Sequence, residues 1–328
     1  MLQKLQDLRE HVSGSEARMN LLVGDIGGTH TRLAVYDGRS LHPPRVFDND
    51  AYESIYALLD SYLPGLENAL RPSRARFAIA APINGRHVRL TNRDWEFDCD
   101  RLEKQLDAPS VELLNDFMAL ALAIPGLDAG GLRKIGGGEP IEHAAKAMLG
   151  PGTGLGMAGL VWTGERWLPV PGEGGHASLA ADEPRLLDVL GRMLKDAEYV
   201  SNEDLLSGPG LQHLYAAFAQ DTDEPPPAPE EVVQRASTGE RQAMKTLDAF
   251  VTLLGGVAAN LALTFNARGG VFLGGGVLPG IPAERWQPAF RSAFVRKGNW
   301  TKYLETIPTW LVTDPFATLR GLIVAGSG

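Results

Sequence analysis

The chain has 328 residues, a formal net charge of −9, 44% hydrophobic and 22% charged residues, and a single cysteine, Cys99. That length allows two domains with cores of their own, and the acidic balance argues against a nucleic-acid or membrane-surface partner. One cysteine leaves no internal disulfide and no cysteine-cluster zinc site, which fits a reducing, cytoplasmic setting.

Residues 1–19 carry Leu2, Leu5, Leu8 and Val12 at helical spacing among charges. They lack the apolar core of about 7–15 residues that a signal peptide needs, so a short helical or frayed extension is expected. No later stretch reaches about 18 uninterrupted apolar residues, so no membrane span is expected. Strand-like runs follow at Leu21–Ile26, Thr31–Tyr36, Arg76–Ala81, His87–Leu90 and Val111–Leu114. Helical stretches alternate with them around Tyr52–Leu63, Asp100–Leu106 and Phe117–Ile124, the last stopped by Pro125-Gly126. The result is an α/β pattern with antiparallel hairpins mixed in. Beyond it, Ala147–Leu149 and Leu160–Trp162 read as strands. Leu186, Leu187, Leu190, Met193 and Leu194 then mark one apolar helix face. Asp221–Pro229 is a proline-rich acidic loop, and Gln242–Phe265 a long amphipathic helix. Val271–Leu273 is a buried-type strand ahead of Gly274-Gly275-Gly276, and Pro315–Ala325 reads as a helix that packs back on the first domain.

Two of these regions run in step. LLVGDIGGTHTRLAVYDG ends at Gly38 and AMLGPGTGLGMAGLVWTG at Gly164, so that Gly24, Gly28 and Gly38 pair with Gly150, Gly154 and Gly164. Each reads as strand, glycine-rich turn, strand. Such turns expose backbone N–H groups to an anion such as phosphate, although glycine is also the ordinary residue wherever φ is positive. The repetition favours two phosphate-gripping hairpins closing on one nucleotide. Asp25, where the first strand gives way to the turn, is placed to hold Mg²⁺ or its waters, with Thr29 and the backbone N–H groups taking phosphate oxygens. Gly154, Gly156 and Gly159 also satisfy the dinucleotide pattern G-x-G-x-x-G. That pattern requires a helix next, whereas Leu160-Val161-Trp162 is a strand. His-Arg-Asp and Asp-Phe-Gly are both missing, so the kinase glycine loop fails too.

Three further constellations carry polar chemistry. An apolar strand delivers Asn115-Asp116 at its carboxyl end, where open α/β sheets bind ligands. Asp116 could be a general base for a substrate hydroxyl beside Asn115, or simply the cap of the helix that follows. Gly172-Glu173-Gly174-Gly175-His176 puts a carboxylate and an imidazole in a close-approach loop, suited to a polyhydroxylated ligand. Glu203, in Ser201-Asn202-Glu203-Asp204, reads on its own as a first-turn acid behind a serine cap.

In order, VGDIGGT, TNRDW (91–95), LLNDF (113–117), GPGTGLG (150–156), PGEGGH (171–176), SGPGL (207–211) and GGVFLGGGV (269–277) resemble the bacterial glucokinases of the hexokinase–actin superfamily, in the group without a repressor or zinc motif. The related group with a cysteine-rich zinc motif is excluded by the lone cysteine. The resemblance runs from about Leu21 to the region of Leu319. It implies a two-domain ribonuclease-H-like fold (actin-like ATPase/hexokinase), with duplicated β-hairpin phosphate motifs and a sugar cleft between the domains. The expected boundaries are an extension at 1–19, a small domain at 20–125 plus 309–328, and a large domain at 126–308. The resemblance further implies Asp116 as catalytic base and Asn115, Asp116, Glu173, His176 and Glu203 as glucose ligands. It makes Asp25, Gly27, Gly28, Thr29, Gly152, Thr153, Gly154, Gly274, Gly275 and Gly276 the nucleotide and phosphate contacts, with Asp25 meeting Mg²⁺ directly or through water. It implies ATP with Mg²⁺ as cofactors, glucose as substrate and a homodimer. Where the family usually has Asn-Ala after GGT this chain has His30-Thr31, and its C-terminal signature is the bulkier Thr318–Ile323. A non-catalytic sugar sensor, a kinase for mannose or glucosamine, and an actin-like ATPase share much of this pattern. The last would need neither GEGGH nor the Asn-Asp pair.

Overall fold

The computed structural model describes residues 20–90, 93–219 and 225–325. The extension at 1–19, part of TNRDW and the start of the acidic loop lie outside the described residues. The described residues divide into two compact units, one within 20–116 with 322–325 and one within 117–321.

The first unit is built on strands β1 (Leu21–Ile26), β2 (His30–Tyr36), β3 (Arg45–Asp48), β4 (Arg74–Ile79) and β7 (Val111–Asn115), in the order β3-β2-β1-β4-β7. Between them, β5 (His87–Arg89) and β6 (Glu96–Asp98) form a separate pair. β1 and β2 are antiparallel, and β1, β4 and β7 run parallel. β4 is buried along nearly its whole length, as a parallel strand covered on both faces must be. Helices α1 (Ile55–Tyr62) and α2 (Cys99–Leu106) supply Leu58, Leu59 and Leu102 to the core with Phe77, Trp95 and Phe97. Both start on side-chain caps. Ser54 Oγ accepts from Ala57 N, and Asp98 from Arg101 N. Helix α3 begins at Asp116 (Asp116–Ala123).

The second unit holds β8 (Leu132–Gly136), β9 (Lys146–Pro151), β10 (Leu155–Trp162), β11 (Trp167–Gly172), β12 (Val271–Leu273) and β13 (Thr309–Val312), ordered β11-β10-β9-β12-β13-β8. Its helices are α4 (Pro184–Met193), α5 (Asn202–Leu205), α6 (Gly208–Phe218), α7 (Pro229–Ser237), α8 (Arg241–Phe265), α9 (Ala283–Val295), α10 (Thr301–Thr306) and α11 (Ala317–Val324), the last running across the unit boundary. α8 is the one described helix long and apolar enough to cross a membrane, and 67% of its apolar window is buried within the protein. Phe250, Leu254 and Ala258 pack there against Phe290 and Phe294 of α9, so it is a core helix.

The unit boundaries differ from the expected 125/126 and 308/309. β13 hydrogen-bonds to β12 and β8, which ties 309–312 to the second sheet. After Asp116 the chain already belongs to the second unit, where the Phe117 ring fills the space a side chain at Gly156 would need. The closing helix behaves as its sequence suggests only at its end. Arg76, 5% exposed, donates from Nη1 to the carbonyls of Leu322 (2.9 Å) and Ile323 (3.3 Å) within the first unit. A cation there suits a helix C-terminus.

Candidate active site

In the first unit the site lies along the carboxyl edge of the parallel strands. Ile26 pairs with Ile79 and Ile79 with Asn115, so the last residues of β1, β4 and β7 form one row. The turn Gly27–Thr29 and the Asn115-Asp116 pair leave that same edge, two strand spacings or about 10 Å apart. Asn115 ends β7 and points its Nδ2 toward the Ala81 carbonyl at 3.5 Å. Asp116 is the first residue of α3 rather than a residue ahead of it.

The turn is held from behind. Asn49, fully buried, donates from Nδ2 to Gly27 O (2.9 Å) and accepts from Thr31 Oγ1 (2.8 Å). Its backbone N–H donates to Thr29 O (2.9 Å). Arg93 donates to Gly28 O and Asn49 O, both at 3.2 Å. Thr31, the departure from the usual family pattern, is therefore part of the brace. Thr29 itself is exposed. Asp25 pairs across the hairpin with Arg32, whose Nη1 lies 3.2 Å from Asp25 Oδ2, and its side chain is 16% exposed. Burial pushes the carboxyl above the usual range and Arg32 only partly opposes this. A buried carboxylate with partial compensation fits a second cation. Among the described residues no three His, Cys, Asp or Glu side chains converge as metal ligands. A divalent ion here would thus be carried mainly by phosphate and water, as Mg²⁺ commonly is.

In the second unit the equivalent turn, Gly152–Gly154, joins β9 to β10 and is closed by Gly152 N donating to Gly154 O at 2.8 Å. Its outer brace is Glu203, whose Oε2 accepts from Leu155 N at 2.7 Å. A Cβ on Gly154 would collide with that oxygen. The glycine is thus required by a close approach and not by its backbone, since neither Gly154 nor Gly28 is among the glycines with positive φ. Gly38 (φ 88°) and Gly164 (φ 100°), which end the two repeats, are. Gly156 and Gly159 also answer to packing, beneath Phe117 and Phe265 respectively, which accounts for the apparent dinucleotide pattern.

Gly274–Gly276 leave the carboxyl end of β12 beside the same turn. Gly274 N donates to Leu149 O (2.9 Å) and Val277 N to Pro151 O (3.2 Å). Gly275 (φ 81°) has no room for a side chain against Pro151 O. Glu173 follows β11, whose Gly172 pairs with Met157 of β10, so it emerges at this edge too. His176 closes a short 3-10 turn, Gly174–His176. Two contacts bring that turn to α5: Asn202 N to Ala177 O (2.9 Å) and Asn202 Nδ2 to Gly174 O (3.0 Å). As a result His176 Nε2 lies 4.0 Å from Glu173 Oε2, and its Nδ1 lies 4.0 Å from Glu203 Oε1. All three side chains keep exposed surface. The cap at Ser201 is completed by Asp204, through a reciprocal pair of bonds. Glu203 is thereby left to face the turn and the imidazole.

Each unit thus gathers its share of the sequence-derived residues at one sheet edge: Asp25, Gly27, Gly28, Thr29, Asn115 and Asp116 in the first, and the other nine in the second. Residues 22–327 match the family model described as glucokinase. The chain belongs to the glucokinase family. It is 40% identical over 309 residues to the glucokinase of Aromatoleum aromaticum (strain DSM 19018 / LMG 30748 / EbN1), covering 93% of both chains. It is 36% identical to the bifunctional protein glk of Burkholderia orbicola (strain AU 1054), where it spans 95% of its own length and 49% of that protein's. Among solved structures, the glucokinase from an Antarctic psychrotroph superposes with a TM-score of 0.81 at 33% identity, covering 94% of this chain and 98% of that one. The fold is that of the glucokinase and hexokinase kinases, as the motifs imply.

The functional residues that sequence reasoning missed are the braces. Arg93 sits in TNRDW, and Gly208, whose N–H donates to Gly152 O at 2.8 Å, sits in SGPGL, motifs that carried the resemblance without a role being assigned to either residue. Asn49 had no motif at all. The available signal was the polar FDNDA stretch, which reads as an ordinary loop.

Proposed function

We propose that this protein is a glucokinase that transfers the γ-phosphoryl group of ATP to the 6-hydroxyl of glucose. The observation that carries the reading is the cluster of Glu173, His176 and Glu203 beside one glycine turn, in a chain whose other unit puts Asn115-Asp116 beside the equivalent turn. In this reading Asp116 accepts the proton of the attacking hydroxyl. Asn115, Glu173, His176 and Glu203 hold the remaining hydroxyls, each offering the oxygen or ring nitrogen that a sugar's paired donor and acceptor require. The transferred group passes through a loose transition state with charge on its oxygens, so positioned backbone N–H groups contribute most. Gly28 and Thr29 supply them on one side and Thr153 and Gly154 on the other, while the N–H groups of Gly27 and Gly152 close the turns by donating to His30 O (3.1 Å) and Gly154 O (2.8 Å), and Gly274–Gly276 lie at the adenosine. Asp25 would hold Mg²⁺, directly or through its waters, and the ion when bound would shield the charge of the phosphate chain. Bond formation between the sugar oxygen and the γ-phosphorus accompanies cleavage of the bond to the β-phosphate oxygen, which leaves as ADP.

The same reading makes the protein a cytoplasmic homodimer, with the buried thiol of Cys99 suited to a reducing compartment. ADP release measured with and without a panel of hexoses tests the activity. Release that depends on glucose and exceeds that with mannose or glucosamine is expected. Release independent of any sugar would indicate an ATPase, and sugar binding without release a sensor.

A further inference from the structure

The Gly152–Gly154 turn is gripped from outside at both ends by one segment. Leu155 N, just past the turn, donates to Glu203 Oε2 at 2.7 Å. Gly152 O, at its start, accepts from Gly208 N at 2.8 Å. Ser207 stiffens the stretch between these two points. Its Oγ donates to Glu203 O (2.8 Å) and accepts from Gly210 N (3.0 Å), capping α6. The same segment holds the sugar side as well, because Asn202 bonds the Gly174 and Ala177 carbonyls on either side of His176. The Glu203 carboxylate is therefore shared: Oε2 is engaged by the turn, while Oε1 faces His176 at 4.0 Å.

We infer that residues 201–208 form a coupling strut in which Ser207 and Gly208 are positioning residues, so that sugar held at Glu203 sets the phosphate turn and favours nucleotide binding. This rests on reading Glu203 as a sugar ligand. A carboxylate accepting a backbone N–H makes a charge-assisted bond, stronger than a neutral one and dependent on side-chain orientation. A sugar hydroxyl donating to Oε1 fixes that orientation. The turn then presents its N–H groups in one arrangement instead of several. Linkage makes the effect reciprocal, so nucleotide must tighten sugar by the same factor. The strut lies wholly within the second unit, so this coupling adds to any that arises from movement between units.

Calorimetry with glucose and the non-hydrolysable analogue AMPPNP tests it. The quantity is the ratio of glucose Kd without and with saturating AMPPNP, expected in wild type within the roughly 5–150-fold range typical of coupled sites. Gly208→Pro removes the N–H that holds Gly152 O and sets its ring Cδ against that oxygen, so the turn is released and pushed aside, at a first helical position whose φ proline fits. It should bring the ratio toward one and leave the glucose Kd measured alone within about twofold. Gly208→Ala keeps the N–H, and its Cβ would lie 3.5 Å from Gly152 O, an ordinary contact, so the ratio should stay at the wild-type value. Ser207→Ala loosens the same corner and should lower the ratio partway; it decides the matter should the proline variant not fold. A wild-type ratio in Gly208→Pro or, failing that protein, in Ser207→Ala overturns the strut. Failure of the sugar reading shows separately, as an unchanged glucose Kd in Glu203→Gln.

Discussion

The two sheets repeat one another far beyond the hairpins that betray the repeat in sequence. β3-β2-β1-β4-β7 in the first unit and β11-β10-β9-β12-β13 in the second share strand order, with an antiparallel hairpin on one side and parallel strands on the other. What differs is the group that holds each glycine turn. The first rests on Asn49 and Arg93, which brace the turn carbonyls from behind, and on the Asp25–Arg32 pair. The second rests on Glu203, an anionic side chain with a second oxygen turned toward His176. A duplicated scaffold thus gives two similar glycine turns, and the braces make them different: one lies beside the Asp25–Arg32 pair, the other is bonded to Glu203, whose second oxygen faces His176.

The sharpest break in the symmetry is Asp116, which directly follows β7, whereas Thr313 follows β13 and the acid beyond it, Asp314, is taken up by Arg320. Asp116→Asn keeps the shape of the side chain and removes the proton acceptor. Turnover should fall by about 10²–10⁴, the usual worth of a general base, with glucose affinity within a few-fold. Coupled-enzyme kinetics alongside glucose calorimetry provide the check. Near-normal turnover would leave Asp116 as nothing more than the opening residue of α3.

The next largest effect sets the two turns against each other. Gly154→Ala drives a Cβ into Glu203 Oε2, so the carboxylate must swing away and Leu155 N loses its acceptor. Gly27→Ala meets only His30 O at 3.3 Å, a contact relieved by a few tenths of an ångström. The first change should weaken both glucose and AMPPNP by roughly tenfold or more, in line with the ~1–3 kcal/mol cost of an unsatisfied buried group. The second should leave glucose untouched and cost AMPPNP no more than about threefold. Equal losses from the two variants would mean that the braces do not distinguish the turns.

How much of this was legible depends on the reach of the interactions involved. The hairpins were readable because glycine punctuation and flanking apolar runs are local. Gly38 and Gly164 do have positive φ, as turn glycines should. Strand order was not readable, since nothing within β13 says that it pairs with β12 and β8; its residues were accordingly expected in the other domain. β11 was hidden for another reason. Pro169 and Pro171 argue against a strand, yet β11 lies at the sheet edge, where a missing N–H is tolerated. Glu203 had an adequate local explanation as a first-turn acid. Only the fold shows that Asp204 completes the cap and that Glu203 turns to Leu155, 48 positions away.

The smallest expected effect comes from the far end of the paired strands. Aligning Gly24 with Gly150 sets Asn20, just before β1, against Lys146 at the start of β9. Asn20 is buried and neutral, and its Nδ2 donates to Ala69 O and Arg71 O. Lys146 is half-buried over the Trp167 ring, with Nζ 3.9 Å from its centroid, and burial pulls its pKa from 10.5 down to about 8. No charged neighbour contributes to that shift. Between those two values the unfolded chain keeps a proton that the folded protein has released, so stability due to this group rises with pH across the window. Below about 8 the folded protein carries the desolvated charge and bears its full cost. Lys146→Met has no such group to titrate. The melting temperature of wild type should therefore gain on that of the variant as pH rises from about 8 toward 10.5, and the gap should be flat below that window. The ring limits the gain, because a cation over an indole face favours the charged form by about 0.5–2 kcal/mol. A gap that stays constant from pH 7 to 10 would show that the ring cancels the burial, and that the two halves are electrostatically alike at this end despite their different residues.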